Sequence, residues 1–411
     1  MASHKTILIV GTFDTKDDEL SFLAEKIVGQ GGAVLTMDVS VLGEPKQKVD
    51  ISKHDVAEAV GSSIVAAIAA GDENAAMQIM AAGAATIAAR LHAQGRIDGA
   101  IALGGSMGTD LALDVCGALP LGVPKYVVST VSFSPMIPPD RLAADIQMIL
   151  WAGGLYGLNS ICKASLAQAA GAVLGAARAA EPLRPGRPMI GMTSFGKTVL
   201  RYMVRVKPAL EERGFDVAVF HATGMGGRAF EVLARDGAFC AAMDLAPQEV
   251  GNHLFGSAIS AGADRMTNAG ARGVPQIVSI GCYDLVDLVG WQPLPERFST
   301  RGAHAHNRLL TSVLLNGEER EMMAETLCAK LATATGPVAF VLPTRGGNEW
   351  DRPGGPLCDP QGLERFCEAV RANCPANVRL LEIDAHINDA AFSDAVLGIF
   401  DGWRDSGAIG A

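Results

Sequence analysis

The run Thr6-Ile7-Leu8-Ile9-Val10 stops at Gly11, and the pattern turns helical at once, with Leu20, Leu23 and Ile27 on one face. A short apolar run rich in β-branched residues and edged by glycine predicts a strand covered on both sides. Such strands belong to parallel sheets with helices on each face, which restricts the chain to α/β architectures. Thr15 and Asp18 have capping-box spacing, so the helix is expected to start at Thr15 and end near Gly29. Residues 11–16 therefore join a strand's carboxyl end to a helix's amino end, where unpaired N–H groups and the helix dipole favour an anion. Thr12 and Thr15 add hydroxyls, Lys16 a cation and Asp14 a carboxylate for magnesium. Capping alone also explains Thr15, and the spacing is neither that of the P-loop nor Gly-x-Gly-x-x-Gly.

The first half repeats this alternation. Residues 33–39 read as a second strand ending near Asp38, an acid placed to reach a ribose hydroxyl or, as preferred here, to hold a turn. Residues 55–94 form alanine-rich helices broken at Gly61 and Gly71-Asp72. A strand over 97–103 then runs into Gly104-Gly105-Ser106-Met107-Gly108-Thr109, a second glycine-rich strand-to-helix loop. Glycines let backbone approach a phosphate, and Ser106 and Thr109 can donate hydrogen bonds to it; tight packing is the competing explanation. In a doubly wound sheet such loops converge on one carboxyl edge. A strand over 125–130 brings Ser129 and Thr130 to that edge. Residues 132–145, with three prolines, read as an irregular loop and candidate lid, and a long helix follows to about Ala180. Pro182, Pro185 and Pro188 mark a boundary between domains 1–182 and 188–411.

The second half restarts the plan with a strand over 189–194 and the loop Phe195-Gly196-Lys197-Thr198. Its likeness to the first loop is read as the way βα units are written rather than as duplication. A strand over 216–220 leads to His221 and a third glycine-rich loop ending in Arg228, a guanidinium suited to carboxylate or phosphate. Further strands are expected over 239–243, 276–280, 338–342 and 378–383. Polar residues follow them, including Arg297, Arg345 and His386, the last with Asp389 as an acid–base pair. His304 and His306 share a face if extended, but two imidazoles without a carboxylate make a weak metal signal, and no metal ligand set is assigned.

The 411 residues carry a net charge of −10 and no basic stripe, which argues against nucleic acid. The absence of a leader and of a run of about 18 apolar residues points to no membrane partner. Eight cysteines without a Cys-x-x-Cys pair suit reduced thiols in the cytoplasm.

The ordered set GTFDTKDDELSFL, LGGSMGTDLAL, GVPKYVVST, GLNSI, FHATGMGGRAFE, PERF and HINDAAF spans nearly the whole chain. It resembles a bacterial and fungal uncharacterised-protein family that shares its fold with the ATP-binding inhibitory domain of the tomato tobamovirus-resistance protein. The resemblance implies two Rossmann-like three-layer α/β domains with mostly parallel sheets, and a homodimer. It further implies ATP, with Mg2+, at Gly11, Thr12, Asp14, Thr15 and Lys16 and at Gly104, Gly105, Ser106, Gly108 and Thr109, with Thr130 nearby. Asp17 stands where the family commonly has glycine. The expected function is an ATP-binding enzyme acting on an acidic small molecule between the domains, with Arg228, Arg345 and His386 orienting or protonating it. The alternatives are a non-catalytic, ATP-responsive binding protein and a hydrolase or lyase using the second domain alone.

Overall fold

The structure is a computed structural model that describes residues 4–154, 156–181 and 186–410, with only the backbone of Lys197 and Thr198. It divides into two units, Met1–Arg184 and Pro185–Ala411. Pro182 and Pro185, on which the boundary was expected, lie outside the described residues.

The first unit runs β1 (Thr6–Gly11), α1 (Phe13–Gly29), β2 (Ala33–Asp38), α2 (Lys53–Glu58), α3 (Ile64–Ala69), α4 (Glu73–Ala93), β3 (Gly99–Gly104), α5 (Ser106–Ala118), β4 (Lys125–Ser129), β5 (Gln147–Leu150) and α6 (Ser160–Ala179). Its five strands lie in the order β2-β1-β3-β4-β5, all parallel. The two-residue period of β1 explains its unbroken apolar run. Leu8 and Val10 pack into a core with α2, α4 and α5, while Ile7 and Ile9 face α1 and α6. Among the described residues α6 alone is long and apolar enough to cross a membrane; its Leu166, Ala170, Val173 and Leu174 are fully buried in the second of these cores. The edge strand β5, between the proline-rich segment and α6, was not anticipated.

The second unit runs β6 (Met189–Ser194), α7 (Leu200–Glu212), β7 (Asp216–His221), α8 (Met225–Arg235), β8 (Ala241–Asp244), α9 (Gln248–Leu254), α10 (Asn268–Ala271), β9 (Gln276–Val278), β10 (Leu285–Val289), β11 (Ala303–Ala305), β12 (Leu310–Leu314), α11 (Gly317–Ala332), β13 (Val338–Pro343), α12 (Pro360–Asn373), β14 (Val378–Ile383) and α13 (Ala390–Asp405). Its main sheet is parallel, in the order β14-β13-β9-β8-β6-β7. Helices α7 and α13 cover one face, and α11 and α12 pack on the other. Counted from its own first strand, this unit is wound like the first one. Both units are three-layer α/β structures, as the alternating pattern predicts. The small antiparallel sheet β10-β12-β11 is an addition the sequence did not announce.

Part of the second unit's interior is charged. Arg265, fully buried, bonds Asp244, Glu249 and Glu231, all three at most 2% exposed. Burial pushes Glu249 up to about 7, and burial with the nearby Asp351 pushes Asp284 up to about 7. The folded state therefore holds protons that the unfolded chain sheds near pH 4, and stability falls as pH rises toward and through 7. Burial lowers His221 and His306 from 6.5, which acts in the opposite sense but only below that pH. Between pH 6.5 and 8 the second unit should accordingly lose roughly 1 kcal/mol per raised carboxyl. Calorimetry at fixed ionic strength checks this; a transition that holds or climbs over that window contradicts it.

Candidate functional site

In the first unit the chain begins at an inner strand. β2 lies on one side of β1 and β3 on the other, and the helices after β1 and β3 leave toward opposite faces. Their loops must part, and ligands of doubly wound sheets bind in the crevice this opens. A cavity of about 590 Å3 occupies it. Thr12, Asp14, Thr15 and Lys16 line one wall, and Gly104, Gly105, Ser106, Met107 and Gly108 another. Val39, Ser40 and Leu42 after β2, Ile68 on α3, and Asp72, Ala76 and Met77 at the start of α4 close the remainder. None of these latter residues was expected at the site from sequence, because they carry no binding motif and only the fold brings them here.

Asp38 organises the first wall. Its carboxylate accepts from the Phe13 N–H at 3.1 Å, the Ser40 N–H at 3.0 Å and the Ser40 hydroxyl at 2.5 Å. The Ser40 Oγ in turn accepts from the Asp14 N–H at 3.1 Å. This acid ties the ends of β1 and β2 together, which is the turn role. It also corrects the expected helix start: α1 is capped at Thr12 without a side-chain bond, and no Thr15/Asp18 box forms. Lys16 is non-helical inside α1 (φ −124°, ψ 22°), so a single turn precedes the helix proper. The first amides of α1 are thus already bonded, and this loop offers side chains rather than backbone. Thr12 and Thr15 present hydroxyls 2.9 Å apart. Asp14 accepts from the Gly43 N–H through Oδ2, while its Oδ1 is buried with no hydrogen-bond partner. Asp17 is 3% exposed and is not part of the cavity wall.

The second loop supplies the backbone. Gly105 is the cap of α5 and has no side chain to bond that helix's first amides, which lie at the cavity wall in Ser106, Met107 and Gly108. Four expected positions have structural partners. A Cβ on Gly11 would meet Leu20 at 2.8 Å, and one on Gly104 would meet the Gly108 Cα at 2.6 Å, so both glycines serve close packing, though Gly104 also borders the cavity. Thr109 is buried, its hydroxyl bonded to the Gly105 carbonyl and Ser129 Oγ. Thr130 donates its N–H to the Gly104 carbonyl at 3.3 Å and does not line the cavity.

The second-unit candidates do not converge. Arg228 is 2% exposed and forks onto Asp264, which occupies the guanidinium that was expected to take an anion. Arg345 is exposed and paired with Asp384, and Arg297 bonds the Phe255 carbonyl. His386 is buried; Nε2 faces the Asn348 carbonyl at 2.8 Å and Asp351 Oδ1 at 2.9 Å, while Nδ1 accepts from the Asn388 N–H. Both ring nitrogens are thus engaged within the chain. Asp389 bonds the backbone N–H of His386 rather than its ring. Among the described residues no group of three or more His, Cys, Asp or Glu could hold a metal.

A Gly104→Ala substitution should destabilise the first unit by about 1–3 kcal/mol, since the new methyl presses on the backbone of α5. Denaturant unfolding measures this, and unchanged stability would show that the close approach is dispensable.

Comparison with known proteins agrees with this two-unit layout. Residues 5–182 match the N-terminal domain and residues 187–403 the C-terminal domain of the uncharacterised protein family UPF0261. A UPF0261 protein of Brucella melitensis is 50% identical over 98% of this chain and 96% of its own. One from Clostridium tetani is 34% identical over 96% of this chain and 97% of its own. The ToMV resistance protein Tm-1 of Solanum lycopersicum is 28% identical over 96% of this chain, which spans 55% of that longer protein. With both of its domains matched in order, the chain belongs to the UPF0261 family.

Proposed function

We propose that the first unit binds ATP with Mg2+ in the crevice between β1 and β3. The observation that carries the reading is that two loops far apart in sequence, at residues 12–16 and 104–108, line one cavity at the switch point. Their chemistry is complementary: α5 offers uncapped amides, Lys16 a positive charge, and Thr12, Thr15 and Ser106 hydroxyls. Asp14, with one buried carboxylate oxygen lacking a partner, suits a magnesium ion, which favours oxygen ligands. Val39, Leu42, Ile68 and Met77 give the same cavity an apolar lobe in keeping with a base. A bound magnesium ion would screen phosphate charge. Because Arg228, Arg345 and His386 are engaged within the chain, the geometry favours a nucleotide-responsive binding protein over an enzyme that uses those groups.

Mg-ATP at about one hundred times its dissociation constant should stabilise the unit by about 2.7 kcal/mol, or roughly 5–10 °C in a domain of this size. Lys16→Ala or Gly105→Val should weaken binding at least about tenfold, and Asp14→Asn should remove its magnesium dependence. Thermal unfolding with and without Mg-ATP is the measurement; no shift in the wild-type chain, or equal shifts in all variants, refutes the site. Release of ADP and phosphate by the same preparation would decide for an enzyme.

A further inference from the structure

A second cavity, of about 350 Å3, lies in the second unit where β6 and β7 end. Phe195 follows β6, His221 is the last residue of β7, and His304 and His306 come from the edge strand β11 and its end. Trp350, Asn307, Leu310 and Glu349 complete the wall. The rings are arranged face and edge: Phe195 stacks on His221 at 5.8 Å with planes 5° apart, and meets His306 edge-on at 5.5 Å. His304 lies 4.2 Å from Trp350, and His306 4.8 Å from it. Among the described residues neither the His304 nor the His306 ring is hydrogen-bonded, and the His221 ring has a hydrogen-bond contact only with the Thr223 hydroxyl, through Nδ1 at 3.2 Å.

We infer that this cavity is a separate binding site for a small, uncharged planar heteroaromatic molecule. Flat π-faces and hydrogen-bonding edges are the two things such a ring needs, and the walls supply both. An anion is disfavoured: no arginine or lysine side chain lines the cavity among the described residues, and the Glu349 carboxylate does. Burial also holds His221 and His306 below their ordinary range, so at neutral pH they present imidazole rather than imidazolium. A metal is disfavoured by the arrangement of the ligating groups. At 350 Å3 the space suits one or two fused rings rather than a whole nucleotide.

Nicotinamide and uracil serve as probes, titrated calorimetrically into the full-length chain with inorganic phosphate as the anionic control. At least one ring should bind in the millimolar range or tighter. Trp350→Leu and His306→Ala should each weaken it about tenfold or more, the loss expected when a base loses its aromatic platform. His306 lines the cavity against Phe195 and Trp350 but lies outside the hydrophobic cores, so its replacement leaves the core intact even if the Trp350 variant unfolds. The Mg-ATP thermal shift, recorded in the same variants, should be unchanged, which keeps this site independent of the first-unit reading. Binding of neither ring, binding of phosphate in their place, or ring binding that survives both substitutions overturns the inference.

Discussion

A parallel sheet that begins on an inner strand and then builds to both sides must part its loops at that strand. This constraint governs both halves of the chain. In the first unit β1 sits between β2 and β3, and the loops after β1 and β3 diverge around an open cavity. In the second, β6 sits between β7 and β8, yet the equivalent crevice is filled. Thr193 on β6 donates to Asp244 at the end of β8 at 2.8 Å, and Ala246 N–H bonds back to Thr193. Arg265 closes over this pair with Glu249 and Glu231. One winding thus yields an open crevice in one unit and a buried charge cluster in the other. The difference lies in side chains, since the strand order is shared.

That contrast bears on what the charge cluster does. Removing a single member would leave a buried charge without its partner, which costs far more than the pair contributes. The cluster joins the ends of β6 and β8 through Thr193, Asp244 and Arg265. The second unit has a cavity instead at the ends of β6 and β7, where Phe195 and His221 stand.

Strand and helix existence was legible because doubly covered strands leave unbroken apolar runs; the spans 189–194 and 378–383 appear in the structure residue for residue. The strands of the small antiparallel sheet were not, since β11 has three residues and no apolar run. The site was legible only in part. Glycine-rich loops announced where backbone comes close, yet not to what: Gly105 faces the cavity, whereas Gly11 faces Leu20. Hydroxyls and arginines suffer the same ambiguity. Thr109 and Arg228 satisfy partners distant in sequence, Ser129 and Asp264, and sequence gives no sign that such a donor is already taken.

The residue that most shapes the first site is Asp38, which does not line it. By bonding the Phe13 amide directly, and that of Asp14 through Ser40, it occupies the first amides of α1, while the Gly43 N–H holds the Asp14 side chain at the cavity wall. Amides without a side-chain cap are left to α5, whose glycine N-cap cannot satisfy them. A single buried acid thereby divides the wall: a lysine, a carboxylate and hydroxyls come from the first loop, backbone amides from the second. Motif spacing could not reveal this division, because a capped and an uncapped helix start are written with the same residues. It follows from hydrogen-bond saturation, which only the folded chain defines.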